Sequence, residues 1–400
     1  MEEQSILTIL AIDFVLAFAL GVIVKTTNFC TMGAISDWIN MGNKGRLGAW
    51  VFAMAITATG MVVLEGMSLI SLETTIPPFR MSNFMPLRYI LGGFIFGVGM
   101  TLASGCGNRT LINIGSGNMK SVVSLICIAI MSYSMTKTDL YEIVFHPLIN
   151  ATSIDLKQFN IQGQGIDQII AGLIDVSVTT AFVVSGGVLS LCLFFLAIKM
   201  PGFLSNKKNV IAGFSVGGII IAGWYLTGGV LGQEAIETAE WMEQRPIGIG
   251  VQSYTFINPI GEAMAWLIHP QNTLLISFGV VAVFAVLAGS IVASLITRQF
   301  QFVWFTSKQD FINHVVGGLL MGVGGVLAFG CTIGQAVSGL STLAIGSFLT
   351  VGSIFLGSVL TMKTQFYRMC YEDESFKDCF MSALVDVRLL PASFRKLEEL

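Results

Sequence analysis

Apolar residues run along this chain in long blocks separated by short polar stretches. The blocks match the length of a helix that crosses a lipid bilayer, about 20 predominantly apolar residues. Full spans are expected at roughly 5–27, 47–70, 168–198, 209–230 and 273–297. Two further pairs of apolar segments, 88–105 with 118–136 and 311–330 with 340–362, are each interrupted at a cysteine. Two amphipathic pieces, 29–40 and 258–269, are too short to span and read as half-helices. From about Lys363 the pattern turns polar and mixed, ending "SFRKLEEL". The pattern therefore predicts an all-α, polytopic membrane protein with about nine transmembrane helices and short re-entrant half-helices. It forms one transmembrane domain over 1–362, followed by a short cytoplasmic tail over 363–400.

Composition strengthens this expectation. Hydrophobic residues make up 54% of the 400 and charged residues only 11%, against about 25% charged in soluble domains. Mean hydropathy is +0.78. A net charge of −3 leaves no electrostatic footprint for nucleic acid, so the lipid bilayer is the expected surrounding partner. The start "MEEQS" lacks the basic region of a signal peptide, and the first apolar run is expected to be retained. Basic residues set the orientation. Lys44 and Arg46, then Lys199, Lys207 and Lys208, then Arg298 and Lys308, then Lys363 and Arg368 are assigned to the cytoplasm. The acidic loops 137–167 and 231–245 then fall outside, with the N-terminus outside and the C-terminus inside. Arg80 and Arg88 run against the scheme, since they land outside.

The chain repeats itself. "LGGFIFGVGMTLASGC" (91–106) and "VGGLLMGVGGVLAFGC" (316–331) share nine of sixteen positions at an offset of 331 − 106 = 225 residues. Repeat one is placed at about 5–136 and repeat two at about 209–362. An odd number of crossings separates the copies, so they are expected to be inverted. Inverted repeats bring broken helices together near the membrane midplane, where transport sites form. A weaker match pairs "TTNFCTMGAISDW" (26–38) with "SYTFINPIGEAMAW" (253–266); there Cys30 has no cysteine partner, and Asn258 or a neighbour stands in its place.

Seven cysteines are present, an odd number set in greasy sequence, which is not a secreted disulfide framework. His146, His269 and His314 stand near none of the framed cysteines, so no metal site is expected. Cys30, Cys106 and Cys331 mark the candidate pathway. "SGCGNRT" and "FGCTIGQ" are backbone breaks, and non-helical backbone at membrane depth must be buried in protein or line a polar path. Gly105, Gly107 and Gly330 let a substrate approach the backbone. A half-helix starting after each cysteine would aim its free N–H groups and positive dipole end there, which favours an anion. Asn108, Thr110, Thr332 and Gln335 add neutral donors. A thiol is a weak donor with a polarizable sulfur, suited to a soft, sulfur-containing anion. A helix N-terminus also lowers a thiol pKa, so neutral and thiolate forms both stay open. The alternative for Cys106 and Cys331 is small apolar packing at a kink. Asn108, Thr332 and Gln335 either touch substrate or cap half-helices. Arg109 either meets the anion at a mouth or snorkels to the headgroups. Intramembrane acids are functional candidates. Among Asp13, Glu65 and Asp175, the first two are placed near the interfaces, and Asp175 is the candidate for proton coupling. Cys127 and Cys192 read as core; Cys370 and Cys379 as structural. No P-loop is present, so direct ATP drive is not expected.

"NFCTMGAISD", "GGFIFGVGMTLASGC" and "GGLLMGVGGVLAFGC" resemble the signature segments of the YeeE/YedE family of bacterial membrane proteins, over roughly 10–360. The resemblance implies a transporter of the bacterial inner membrane rather than an enzyme, with no cofactor. Family members include thiosulfate-uptake transporters in which three cysteines relay the anion by weak S–H···S hydrogen bonds; the matching positions are Cys30, Cys106 and Cys331. It also implies a cytoplasmic sulfurtransferase as receiver. The sequence departs from the pattern: "KTTNFC" puts Lys25 further back from the first cysteine than the usual basic residue, Arg109 lies close to the second, and the tail shows no sulfur-carrier domain. A channel or transporter for another sulfur or selenium solute, and a membrane thiol enzyme using a cysteine persulfide, remain the alternatives.

Overall fold

A computed structural model describes residues 2–371 and 373–398. Helix α1 (Glu2–Thr27) breaks at 28–30 and continues as the half-helix α2 (Thr31–Met41), and α3 (Gly45–Gly66) returns. Helix α4 (Pro86–Leu102) breaks at Cys106 and continues as α5 (Gly107–Ile114), and α6 (Met119–Lys137) returns. The next connection carries α7 (His146–Asn150) and α8 (Ile166–Ile174), before α9 (Val178–Lys199) and α10 (Lys207–Gly228) cross. Then come α11 (Val230–Trp241), the half-helix α12 (Ile257–Ile268), α13 (Phe278–Ile296) and α14 (Lys308–Leu327). Helix α14 breaks at Cys331 into a short π-helix, Ile333–Gly339, followed by α15 (Ile345–Cys370) and α16 (Phe376–Asp386).

Among the described residues, nine segments are long and apolar enough to cross a membrane, with α1–α2 and α4–α5 each counting as one. An odd number of crossings puts the two ends of the chain on opposite faces. Helix α9 shows why lipid is the right solvent. Val184, Val188, Leu191 and Phe195 recur at helical spacing on its surface and are exposed, a stripe that only an apolar medium tolerates.

The duplicated glycines do the packing. A Cβ on Gly92 would sit 2.7 Å from the Ala328 nitrogen, and one on Gly317 would sit 2.7 Å from the Ala103 nitrogen. These contacts swap the two copies. The helices follow the same exchange: α4 lies on α15 and α14 on α6, while α1 lies on α13 and α10 on α3. Small residues at such interfaces let backbones approach, as lipid provides no hydrophobic drive for helix association.

The structure corrects the span expected at 168–198. Helix α8 ends at Ile174, Asp175 takes a left-handed φ of 57°, and Ser177 caps α9 by accepting from the Thr180 N–H at 3.2 Å. Asp-Val-Ser favours this, because Asp tolerates the left-handed region and Ser is a strong N-cap. Asp175 is therefore exposed at a helix junction rather than inside a span. Arg80 and Arg88, the two residues at odds with the charge scheme, are buried and paired. Arg80 meets Asp167 at 2.5 Å, whose carboxyl is held above its ordinary range by burial against the pull of that guanidinium. Arg88 Nε donates to the Leu327 carbonyl at 2.6 Å. Neither is a free loop charge of the kind that sets orientation.

Short strand pairs tie the connections together: β1 (Thr75–Ile76) runs parallel to β4 (Val251–Gln252), and β2 (Asn83–Phe84) antiparallel to β3 (Ile154–Asp155). Helix α15 continues through Lys363, and α16 folds back onto it. Asp386 accepts from Lys363 Nζ and the Tyr367 hydroxyl, each at 3.1 Å, and pairs with Arg395 at 2.7 Å.

Candidate functional site

The three cysteine breaks are built alike. The residue two before each cysteine is left-handed: Asn28 (φ 55°), Ser104 (57°) and Phe329 (58°). For a non-glycine residue this costs about 1–2 kcal/mol, and the surroundings hold it in place. Arg88 lies 3.5 Å from the Phe329 ring centroid while binding the last carbonyls of α14. Asn28 Oδ1 accepts from Arg109 Nη2 at 3.3 Å, and Phe29 stacks on Trp50 at 4.3 Å. Left-handed residues end each helix, and the chain restarts one turn later.

Each cysteine begins the next short helix. The carbonyls of Cys30, Cys106 and Cys331 accept from the N–H groups of Ala34 (2.9 Å), Thr110 (2.8 Å) and Gln335 (2.8 Å). The thiols lie over the first turn. Cys30 Sγ accepts from the Gly33 N–H at 3.4 Å and Cys331 Sγ from the Gly334 N–H at 3.5 Å, while Cys106 Sγ faces the Arg109 N–H. A thiol thus stands where Ser, Thr or Asp usually caps a helix, at the positive dipole end. All three are sealed from solvent, at 6%, 2% and 0% exposure for Cys30, Cys106 and Cys331.

The fourth break has no thiol and follows strand β4 rather than the end of a helix. Helix α12 starts at Phe256, whose carbonyl accepts from Ile260 at 3.0 Å without a side-chain cap. Phe256, not Asn258, takes the capping place, and Asn258 follows two residues on.

The four breaks meet. Cys106 faces Thr332 and lies within electrostatic reach of both Cys30 and Cys331. A Cβ on Gly107 would sit 2.7 Å from Ile257 Cδ1, and one on Gly334 2.5 Å from Thr255 Oγ1. A cavity of about 60 Å³ joins the first and third breaks, with Thr31, Trp50, Thr332 and Ile354 in its wall. Around this junction the buried atoms Thr31 Oγ1, Asn108 Oδ1, Thr255 Oγ1, Asn258 Oδ1, Thr332 Oγ1 and Gln335 Oε1 have no hydrogen-bond partner. Folded proteins leave few such atoms, and a cluster of them suits a passing polar ligand.

The site residues expected from sequence divide accordingly. Cys30, Cys106, Cys331, Asn108 and Thr332 come together. Thr110 gives its hydroxyl proton to the Cys106 carbonyl at 3.0 Å, so it secures the short helix. Gln335 Nε2 donates one of its two N–H groups to the Ala328 carbonyl, and its oxygen has no partner. Arg109 turns toward the first break, donating to Asn28 Oδ1, with Lys25 beside it. Asp175 is not brought to the junction. Arg46 escaped the sequence reading as a site neighbour: it pairs with Asp37 of α2 and lies within electrostatic reach of Cys30. Its signal was an acid on the half-helix nine residues before a base. Arg88 acts on a carbonyl 239 residues away, a partnership no local pattern announces.

Residues 26–360 match the family described as Sulphur transport, a stretch that contains all four breaks and stops inside α15. The chain belongs to the sulphur transport family. It is similar to the thiosulfate transporter TsuA of Escherichia coli (strain K12), at 24% identity over 326 residues, covering 80% of this chain and 84% of that protein. It is also similar to the thiosulfate transporter TsuA of Spirochaeta thermophila, at 21% identity over 350 residues, covering 85% of this chain and 94% of that protein. This sulphur transport family member is thus a multi-pass membrane protein whose apolar helices surround a ring of buried cysteines.

Proposed function

We propose that this protein imports a small sulfur-containing anion, thiosulfate first, across the bacterial inner membrane. The anion passes Cys30, Cys106 and Cys331 through weak S–H···S hydrogen bonds. The observation that carries this reading is the shared position of the three cysteines, each at the start of a short helix beside buried polar atoms that lack partners. Helix N-termini attract the charge without fixing it by a buried cation. A neutral thiol offers the sulfur end of thiosulfate a soft, weak donor, so the anion is held and released. Asn258 and Thr255 supply polar contact at the fourth side. The N-terminus lies outside and the C-terminus inside, as the Lys and Arg distribution directs, and the halves are inverted repeats, a reading supported by the swapped packing of Gly92 with Ala328 and Gly317 with Ala103. A soluble sulfurtransferase on the cytoplasmic side would receive the product.

All three thiols are buried, so on this reading passage requires movement of the breaks. Moving a dianion inward against an inside-negative potential costs about 4.6 kcal/mol per 100 mV, twice the single-charge value.

The test is growth and labelled uptake on thiosulfate in a strain lacking its other sulfate and thiosulfate importers. Wild type should grow, and Cys106→Ala and Cys331→Ala should not while still reaching the membrane. Normal uptake in both single variants would refute the relay. Intact-mass measurement after thiosulfate exposure separates transport from thiol catalysis, since a persulfide adds one sulfur and transport adds none.

A further inference from the structure

Helix α1 buries one stripe: Ile9, Asp13, Ala17, Leu20 and Val24. Four are apolar and the fifth is a carboxylic acid with 0% exposure. Neither Asp13 oxygen has a hydrogen-bond partner of ordinary geometry. The side chain that Asp13 faces is the Tyr254 hydroxyl, itself fully buried and otherwise without a partner. Tyr254 stands two residues before Phe256, the place held in the other breaks by Asn28, Ser104 and Phe329. Its carbonyl accepts from Ser338 Oγ at 2.9 Å, in the π-helix that follows Cys331. Asp13 is therefore in touch with the one break that carries no thiol, and through it with the third.

A small cavity lies on the N-terminal side of Asp13. It measures about 40 Å³ and begins one turn before Asp13, with Ile9, Leu10, Thr227, Gln252, Ser277 and Phe278 in its wall. It is large enough for water and polar enough to hold it. The Phe278 ring lies 5.2 Å from that of Tyr254, and Ser277 donates to Glu262 at 2.6 Å. Among the described residues, no other ionisable group acts on Asp13. Helix α13 carries none, and α10 carries Lys207 and Lys208 at its start and the exposed Tyr225. Helix α11 carries Glu234, Glu237 and Glu240, and Arg109 of α5 faces Lys25 at the far end of α1.

We propose that Asp13, working with Tyr254, is the protonation site that couples anion passage to the inward movement of one proton. The inference rests on the reading of the protein as an importer of a sulfur anion. The carboxylate takes a proton from water in the N-terminal cavity and becomes neutral. The proton leaves to the opposite side when the fourth break moves, and the carboxylate is restored. One proton per dianion halves the net charge moved. A buried intramembrane acid that faces no cation is the kind of group proton-coupled carriers use.

The test uses the full-length protein in liposomes with labelled thiosulfate, under two conditions: exchange at equal pH on both sides, and uptake with the N-terminal side made acid. Wild type should exchange, and under the gradient its accumulation of thiosulfate should rise by up to about tenfold per pH unit for one coupled proton. Asp13→Asn should keep exchange and lose the gradient response, and Asp13→Glu should restore it. Tyr254→Phe should keep exchange and displace the midpoint of the pH profile. Wild-type exchange without a gradient response, or a normal response in Asp13→Asn, would overturn the coupling. If Asp13→Asn does not fold, the Asp13→Glu profile decides: an unchanged midpoint overturns the proposal and a displaced one supports it. Absence of wild-type exchange would instead overturn the thiosulfate reading, and this inference with it.

Discussion

The third and fourth breaks differ in one respect that bears on the other two. Both start a short helix at the same junction, and both do so through a carbonyl that accepts a hydrogen bond from four residues on. Cys331 adds a thiol over the first turn; Phe256 adds nothing. The fourth helix forms without a side-chain cap, so a cysteine is not needed to build a break. A thiol is also a poorer cap than the Ser or Asp that sequence could have supplied. The comparison argues that the three sulfurs are kept for what they do to a ligand.

The sharpest way to break this comparison is to separate capping from sulfur. Cys106→Ser and Cys331→Ser keep a capping oxygen and remove the soft atom. Uptake of labelled thiosulfate should fall at least about tenfold, a loss of roughly 1.4 kcal/mol in transition-state terms, with the melting temperature in detergent unchanged or raised. Serine variants with normal uptake would return the cysteines to packing. Next in size is Arg88→Met. It strips the guanidinium from two carbonyls at the end of α14 and from the strained Phe329, and should cost about 2–3 kcal/mol of stability by thermal melt, with uptake reduced because the third break loosens. A smaller effect is expected for Gly92→Ala and Gly317→Ala. Each places a methyl 2.7 Å from a backbone nitrogen of the other copy, an overpacking that costs about 1–3 kcal/mol. Equal losses would support the exchange of contacts between copies, and unequal ones would weaken it. Gly187→Ala is the control, since nothing lies near its added methyl, and it should leave the melting temperature unchanged or higher. The smallest change is Asp386→Asn. It weakens the ties from Lys363 and Arg395 that hold α16 on α15, and should expose the tail to protease while leaving uptake unchanged.

Much of this was legible in the sequence because it depends on local pattern. Blocks of about 20 apolar residues give nine crossings whatever the packing, and the sixteen-residue repeat exposes its glycines by identity alone. The cysteines stood out because glycine frames them at the end of an apolar run. What escaped is what the chain brings together from a distance. The 168–198 block was read as one span because Asp175, Val176 and Ser177 are only three residues, too few to interrupt a hydropathy average, yet enough to end one helix and cap another. Gln335 read as a donor, and one of its amide N–H groups is held by the Ala328 carbonyl seven residues back. Arg88 read as an exception to a charge rule, but its partner carbonyl is in the other copy. Asp13 read as an acid near the interface; that it also belongs to the buried stripe of α1 and faces Tyr254 is set by packing no local pattern announces.

The exchanged contacts of Gly92 with Ala328 and Gly317 with Ala103 have one more consequence. A patch that meets its own equivalent is isologous, the geometry by which two identical subunits close on each other about a two-fold axis. In a true dimer every change on one side is made on both. In a single polypeptide the two sides are free to differ, and they do: three of the helix starts carry a sulfur, while the fourth has Phe256 in that place and, two residues before it, Tyr254 facing a carboxylic acid.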